Sequence, residues 1–151
     1  MIINSDRKKF YAYLLVFAQF ACITYFLVEG RMLNNAISIM ILEVISIILG
    51  LIAIFYMRPR NLSVSPLPKQ QALLIKSGPY HWIRHPMYSA VLLFCFARFL
   101  GIHTRFSLLI LIILFVILMF KMSFEEKMQM EKFESYAEYI RETKRLIPFI
   151  Y

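Results

Sequence analysis

Long apolar stretches alternate with short polar segments along this chain. The apolar runs cover residues 10–28, 36–56 and 87–120, and polar residues around Gly101 interrupt the third run. A helix needs about 20 apolar residues to cross the hydrocarbon core of a bilayer. The first two runs have about this length, so each predicts one transmembrane helix.

The third run is too long for a single crossing. At about 1.5 Å per residue, a continuous helix over it would overshoot a bilayer core about 30 Å thick. We predict instead a hairpin of two short helices that turns near Gly101. The predicted fold class is all-α, a polytopic membrane protein with four transmembrane helices at about residues 10–28, 36–56, 87–100 and 106–120.

The polar segments complete the predicted architecture. Pro66 and Pro68 argue against a continuous helix in the connection 57–85. Beyond residue 120 the chain is charged, lacks Gly, and has no Pro before Pro148, so we expect the last membrane helix to continue to residue 145 as a cytosolic C-terminal helix. We predict a single domain over residues 1–151.

Composition excludes several classes of protein. With 60% hydrophobic and 17% charged residues, the chain is too apolar for an ordinary soluble domain. Its two Cys fall inside apolar runs and its three His are scattered, so we predict no disulfide framework and no metal. Despite the net charge of +8 we predict no nucleic-acid partner, because the basic residues lie between apolar runs rather than on a soluble face.

The same basic residues predict the topology. Of the 17 Lys and Arg, all but Arg31, Arg98 and Arg105 fall in the N-terminal segment, the 57–85 connection and the tail from residue 121. Four crossings put these three segments on one side of the membrane, and the positive-inside rule makes that side cytoplasmic. We therefore predict an integral, multi-pass membrane protein with both termini in the cytoplasm.

Two polar clusters flank the predicted hairpin on this side. The first, residues 77–88, concentrates aromatic and charged side chains at the start of the third apolar run. Polar side chains at the mouth of a membrane segment are costly and can indicate a functional site, but taken alone these residues are more typical of an aromatic belt at the membrane interface. In the second cluster, Lys121 and Glu125 share one helix face, and Glu126 points about 100° away. Alone, the second cluster is more typical of a helix that leaves the membrane than of a functional site.

Together the two clusters contain a series of elements in order: Gly78-Pro79-Tyr80, Arg84-His85-Pro86-Met87-Tyr88, Glu125-Glu126, Phe133, Tyr136, Tyr139 and Pro148. With the apolar hairpin between them, these elements resemble the isoprenylcysteine carboxyl methyltransferase family, whose wider relatives include the small membrane phospholipid methyltransferases. The resemblance covers residues 70–150, and the first two helices match only as hydrophobic spans.

The resemblance implies an integral-membrane enzyme that uses S-adenosylmethionine, without a Rossmann domain, to methylate a lipophilic acceptor held in the bilayer. It implies that the cofactor binds between the stretch before the hairpin and the helix after it. The implied cofactor-binding residues are Ala72, Leu73, Leu74, Ile75, Tyr80, His85, Pro86, Met87, Tyr88 and Glu125. The residues expected to act on the acceptor are Arg84, Lys121 and Glu126.

The identity of the acceptor stays open between two chemistries. A carboxylate, such as that of a prenylcysteine, needs only a cation to orient it, Arg84 or Lys121, and this O-methylation is the expected reaction. An amine must lose a proton, for which His85 or Glu126 would serve as base, so N-methylation of a phospholipid headgroup is the alternative.

The chain departs from the family pattern at two positions. Lys121 stands where the family has Arg, which keeps a positive charge but loses bidentate recognition of a carboxylate. Phe133 is followed directly by Glu134, without the Gly of the family's Phe-Gly pair. The first departure bears on substrate choice and the second on how the tail docks.

Glu43 lies inside the second apolar run. A carboxylate there predicts a function by default, which keeps open a non-enzymatic alternative, a small proton-coupled transporter of four helices. A structural role, in which Glu43 is hydrogen-bonded to a neighbouring helix or lies near the membrane edge, is at least as consistent with the sequence.

Overall fold

The computed structural model describes residues 5–29, 37–61, 73–148 and 150. Its elements are α1 (Ser5–Glu29), α2 (Ile37–Asn61), a 3₁₀ turn (Gly78–His81), α3 (Pro86–Ile102), α4 (Arg105–Lys132) and α5 (Tyr136–Glu142). No β-strand occurs in the part of the chain that is described, so the predicted all-α class is confirmed. One residue predicted for the site, Ala72, lies outside the described residues.

Within the described ranges, three helical segments are long and apolar enough to cross a membrane: Lys9–Glu29, Ile37–Met57 and Arg105–Lys132. Helix α3 is also apolar but has only 17 residues, which corresponds to about 25 Å. These segments agree with an integral membrane protein. A fourth crossing by α3, and the side on which each terminus lies, stay predictions.

The predicted hairpin is present, with its turn at His103 and Thr104. His103 adopts a left-handed conformation with φ 50° at the end of α3. Thr104 then caps α4, because its side chain accepts a hydrogen bond from the Ser107 backbone while Ser107 bonds back to the Thr104 amide. The turn therefore lies two residues beyond Gly101, where a capping pair can start the next helix.

The helices pack as two main pairs, α2 against α3 and α1 against α4, with α3 also against α4. A buried apolar core joins α1, α3 and α4 through Phe26, Cys95, Leu114 and Leu118. Large apolar side chains on the outer faces of the helices are exposed, for example Phe55, which is 80% exposed. Such wide apolar surfaces are what a helix bundle presents to lipid.

The prediction of one helix from the membrane to residue 145 is wrong. Helix α4 ends at Lys132, Phe133 is extended with φ −122° and ψ 115°, and α5 begins after a short turn. The break lets α5 fold back and bury Tyr136 and Tyr139, each 3% exposed. Burial of two aromatic side chains offsets the loss of a few exposed helical residues.

The tail after α5 docks on the segment that precedes α3. Ile83 and Lys144 form a parallel bridge, in which the Arg84 amide donates to the Lys144 carbonyl at 2.7 Å. One turn into α3, the Ser89 hydroxyl donates to the Leu146 carbonyl at 2.6 Å. These bonds bring residues from the two predicted polar clusters to one end of the α3–α4 hairpin.

Candidate functional site

Tyr88 and His85 meet Glu125 at the beginning of α3. Pro86 occupies the first turn of this helix, where its missing N–H costs nothing, and leaves His85 at the cap position and Tyr88 in the first turn. The Tyr88 hydroxyl donates to Glu125 Oε1 at 2.5 Å, and His85 Nδ1 lies 3.5 Å from Glu125 Oε2. The His85 and Tyr88 rings stack with centroids 5.5 Å apart. Glu125 is thereby held from both sides.

Glu126 faces a different set of partners. Its Oε1 accepts from Arg84 Nε at 2.8 Å and lies 3.3 Å from His85 Nε2. Its Oε2 accepts from Arg145 Nη2 at 2.7 Å. With a side chain only 6% exposed, Glu126 is a buried carboxylate shared by two arginines.

Arg84 ties the site to the tail. Besides its bond to Glu126, its Nη1 donates to the Thr143 carbonyl at 2.5 Å and to the Ile140 carbonyl at 3.2 Å. These carbonyls lie at the end of α5, where orphaned acceptors remain after the last helical turn. Arg84 therefore donates hydrogen bonds both to carbonyl groups at the end of α5 and to the Glu126 carboxylate.

Lys121 is buried on α4, only 4% exposed. Its Nζ donates to Oε1 of Gln19 on α1 at 2.7 Å and lies 5.1 Å from the centroid of the Tyr88 ring. A cation near an aromatic face is attracted by the ring quadrupole. Lys121 therefore links α1 and α4 to the aromatic side of the site.

Three buried tyrosines close the site on its tail side. Tyr139 donates from its hydroxyl to the Tyr80 carbonyl at 2.6 Å, and Tyr80 donates to the Ala53 carbonyl at 3.4 Å. Burial raises the pKa of the Tyr139 phenol well above its usual range, so the hydroxyl stays a donor at neutral pH. Burial, followed by the nearby charge of Glu126, likewise raises the pKa of Tyr136.

Two cavities flank this cluster. The first has a volume of about 120 Å³ and is lined by Met57, Leu73, Leu74, Ile75, Tyr80, Arg84, His85, Glu125, Gln129, Tyr136 and Tyr139. The second has a volume of about 140 Å³ and is lined by Gln19, Phe20, Met57, Tyr80, Arg84, His85, Pro86, Met87, Tyr88, Lys121 and Glu125. They share Met57, Tyr80, Arg84, His85 and Glu125, so they form two compartments of one site.

A third cavity lies within the bundle and shares one lining residue with the second. It has a volume of about 230 Å³, lies among α1, α2 and α3, and is almost wholly apolar. Met87 lines both this groove and the second cavity. The polar site and the apolar groove therefore adjoin at the first turn of α3.

The residues expected for the site divide between these cavities. Those expected to bind a cofactor line the first, the second or both, except Ala72, which is not described. Among those expected to act on an acceptor, Arg84 lines both cavities and Lys121 the second. Glu126 lines neither of the two, because Arg84 and Arg145 enclose its carboxylate.

Several residues that belong to the site were not identified from the sequence. Gln19 is a polar residue inside the first apolar run, and that position alone could have marked it. Gln129 lines the first cavity, and its Oε1 is buried with no hydrogen-bond partner among the described residues. Arg145 carried no signal, because it is one of several basic residues in a charged tail.

Glu43 lies away from this cluster. Its Oε1 is 3.4 Å from Nη1 of Arg98, near the other end of α3, and the Arg98 side chain is 6% exposed. An ion pair across two neighbouring helices favours the structural interpretation of Glu43 over a proton-carrying one. Among the described residues no group of three or more His, Cys, Asp or Glu side chains is arranged to hold a metal ion.

Comparison of the sequence with known protein families identifies one matching family model. A family model described as phospholipid methyltransferase matches residues 32–137, which is more than half of the chain. A search of curated proteins gives no match. The matched region includes Tyr88, Glu125 and both cavity walls contributed by α3 and α4, and it leaves out Gln19.

Proposed function

The chain belongs to the phospholipid methyltransferase family, and from this premise we propose that it transfers a methyl group from S-adenosylmethionine to a membrane-borne lipid acceptor. The family confirms the wider group of small membrane methyltransferases expected from the motifs. The proposal also specifies the cofactor, the residues that bind it and the chemical class of the acceptor.

The observation that carries the proposal is the Tyr88–Glu125–His85 cluster between two adjoining cavities. A carboxylate held in place by two neighbours suits the ammonium group of an amino-acid cofactor. Tyr80 lines both cavities and offers an aromatic face to a sulfonium cation. The buried Oε1 of Gln129 supplies an acceptor that still needs a donor.

We assign the cofactor to the first cavity and the acceptor to the second. Residues 73–75 line the first cavity as a segment outside any helix. S-adenosylmethionine, when bound, supplies a methyl group on a sulfonium for in-line displacement. The chain contributes alignment and exclusion of water, since His85 and Tyr88 hold Glu125 rigidly and little of the cluster is exposed.

The acceptor chemistry follows from the charges of the second cavity. Arg84 and Lys121 both line it, and either can orient a carboxylate. For an amine acceptor, as the family name indicates, His85 is the base that lines both compartments. We assign Glu126 a positioning role instead, because both of its oxygens accept from arginines.

We propose the topology predicted from the basic residues, with four crossings and both termini in the cytoplasm. The polar cofactor would then enter from the cytosol and the lipid from the bilayer. The apolar groove beside Met87 suits the hydrocarbon part of such a lipid.

The test begins with cofactor binding. The purified protein in detergent is titrated with S-adenosylhomocysteine while its thermal unfolding is followed; we expect a rise in Tm that saturates. Glu125→Ala should abolish the rise, whereas Glu138→Ala, which removes an exposed carboxylate on α5, should retain it. No rise for the wild type at millimolar ligand would overturn the proposal.

The second stage identifies the acceptor. Labelled S-adenosylmethionine is supplied with either a farnesylcysteine or an ethanolamine phospholipid, and the label in the lipid fraction is counted. Transfer to the first supports O-methylation, and transfer to the second supports N-methylation. Cofactor binding without transfer to either lipid would contradict both acceptor assignments.

A further inference from the structure

Gln19 is a buried polar residue in the middle of α1, 7% exposed. This helix lies outside the part of the chain that the family model matches, residues 32–137. Gln19 nevertheless lines the second cavity beside Lys121 and Tyr88. A helix that matches the family only as a hydrophobic span thus contributes a polar side chain to the site.

In the described part of the chain, Lys121 has two neutral groups close to its ammonium. They are the Gln19 amide oxygen, 2.7 Å from Nζ, and the Tyr88 ring, whose centroid is 5.1 Å away. The nearby Glu125 carboxylate is already used by the Tyr88 hydroxyl at 2.5 Å and faced by His85 at 3.5 Å. A buried ammonium with neutral close partners retains a strong attraction for an anion.

Gln19 can act in two ways at once. Its Oε1 fixes the position of Lys121 Nζ, and its amide nitrogen carries two N–H groups that can donate to an oxygen of the same anion. Arg84 lines this cavity as well, so two cations and an amide face the ligand beside one engaged carboxylate. The combination suits the oxygen atoms of a carboxylate or a phosphodiester.

We infer that Gln19 and Lys121 together bind the anionic oxygen group of the lipid acceptor, and that Gln19 is a specificity-determining residue supplied by α1. This inference rests on the proposed methyl transfer. The anion is the carboxylate of a prenylcysteine or the phosphodiester of an ethanolamine phospholipid. Met87 lines both this cavity and the apolar groove. In this inference, the hydrocarbon part of either lipid extends from the anion site past Met87 into the bundle.

The experiment measures lipid binding and cofactor binding separately. The probes are farnesylcysteine with a fluorophore on its amine, the uncharged methyl ester of this compound, an ethanolamine phospholipid with a fluorophore in its acyl chain, and a diacylglycerol labelled in the same way, each titrated onto the protein in detergent. The first and third carry an anionic oxygen group and are called the anionic probes, although the phospholipid is a zwitterion. We expect the wild type to prefer each anionic probe to its uncharged counterpart. Gln19→Leu should raise the Kd of the anionic probes about tenfold, as for the loss of a hydrogen bond to a charged group, and leave the uncharged probes unchanged.

Two further variants keep the result interpretable. Gln19→Glu retains a partner for Lys121 but adds a negative charge, so it should weaken anionic probes more than Gln19→Leu does. Thr24→Val removes an exposed hydroxyl from the same helix and should change no Kd. Equal preference for charged and uncharged probes in the wild type, or an unchanged preference in both Gln19 variants, would overturn the inference.

S-adenosylhomocysteine binding separates this inference from the proposed function. All three variants should retain the wild-type rise in Tm, and loss of that rise in the Gln19 variants alone would overturn the inference by assigning Gln19 to the cofactor compartment. If the wild type shows no rise but binds anionic lipid through Gln19, the proposed function fails while the lipid site stands. Loss of binding to only one anionic probe identifies which lipid supplies the anion.

Discussion

Tyr88 on α3 donates a hydrogen bond of 2.5 Å to Glu125 on α4, 37 residues away in sequence. Both residues line the second cavity, and Glu125 also lines the first. Neighbouring helices of a hairpin would meet somewhere in any case. What this bond adds is a fixed carboxylate at the boundary between two compartments, where a donor and an acceptor can be aligned.

Tyr88→Phe should weaken cofactor binding without unfolding the protein. The change removes the hydroxyl that holds Glu125 but keeps the ring that stacks on His85. A hydrogen bond to a charged group contributes about 1.5–3 kcal/mol, so the Kd of S-adenosylhomocysteine should rise at least tenfold. Isothermal titration gives the Kd, and Tyr11→Phe, at an exposed position on α1, serves as the control. An unchanged Kd would show that Glu125 is held well enough without Tyr88.

The sequence predicted the hairpin that brings these two residues together better than it predicted the tail that follows the hairpin. Apolar runs and the turn near Gly101 were sufficient for the hairpin, because helices of fixed rise must fit a bilayer of fixed thickness. The fold-back of α5 was not predictable in this way. It depends on burial of Tyr136 and Tyr139 against the segment before α3, a tertiary effect that overrides local helix propensity.

The same reasoning explains which site residues were found. His85, Tyr88 and Glu125 stand in dense local motifs, and such motifs can be recognised within a few positions of sequence. Gln19 and Arg145 come from distant segments and gain meaning only from their partners, Lys121 and Glu126. Glu126 was expected, as an alternative to His85, to be the base for an amine acceptor, but its carboxylate accepts hydrogen bonds from Arg84 and Arg145.

Glu126→Ala should destabilise the fold more than Arg145→Met. Removing the carboxylate leaves Arg84, 8% exposed, and Arg145, 26% exposed, without their shared partner. Breaking a buried ion pair from one side costs about 3–5 kcal/mol, and loss of the more exposed arginine costs less. Thermal unfolding in detergent gives the order of Tm values. A fully stable Glu126→Ala protein that has lost only turnover would instead support a role for Glu126 as base.

Gly78→Ala should disturb the site from the 3₁₀ turn. Gly78 has φ 62°, and an added Cβ would lie 2.6 Å from atoms of the Tyr56 ring. The left-handed conformation alone costs an L-residue about 1–2 kcal/mol, before the clash is counted. Because Tyr80 lies two residues on and lines both cavities, Tm and cofactor affinity should fall together. Gly50→Ala, whose Cβ would meet Ala90 at an ordinary 3.5 Å, should change both much less.

Lys121→Arg should shift the acceptor preference toward carboxylates. The guanidinium offers the two parallel N–H groups that an ammonium lacks, in a cavity that Gln19 and Tyr88 already border. We expect the ratio of kcat/KM for a farnesylcysteine to that for an ethanolamine phospholipid to increase. Lys121→Met, which keeps most of the volume and no charge, should lower transfer to both. An unchanged ratio in Lys121→Arg would mean that this side chain does not contact the acceptor.

Glu43→Gln distinguishes the enzyme from the transporter. The carboxylate pairs with the buried Arg98 at 3.4 Å, toward the end of α3 opposite to Tyr88. Neutralising Glu43 removes the ion pair from a buried cation, which costs about 1–3 kcal/mol, so Tm should fall while the Kd of S-adenosylhomocysteine and kcat stay unchanged. Arg98→Met should lower Tm in the same way, and the double variant should lose less than the sum of the two because one partner no longer stands alone. A proton-coupled transporter would give the opposite pattern, with Tm retained and proton uptake into proteoliposomes lost in Glu43→Gln.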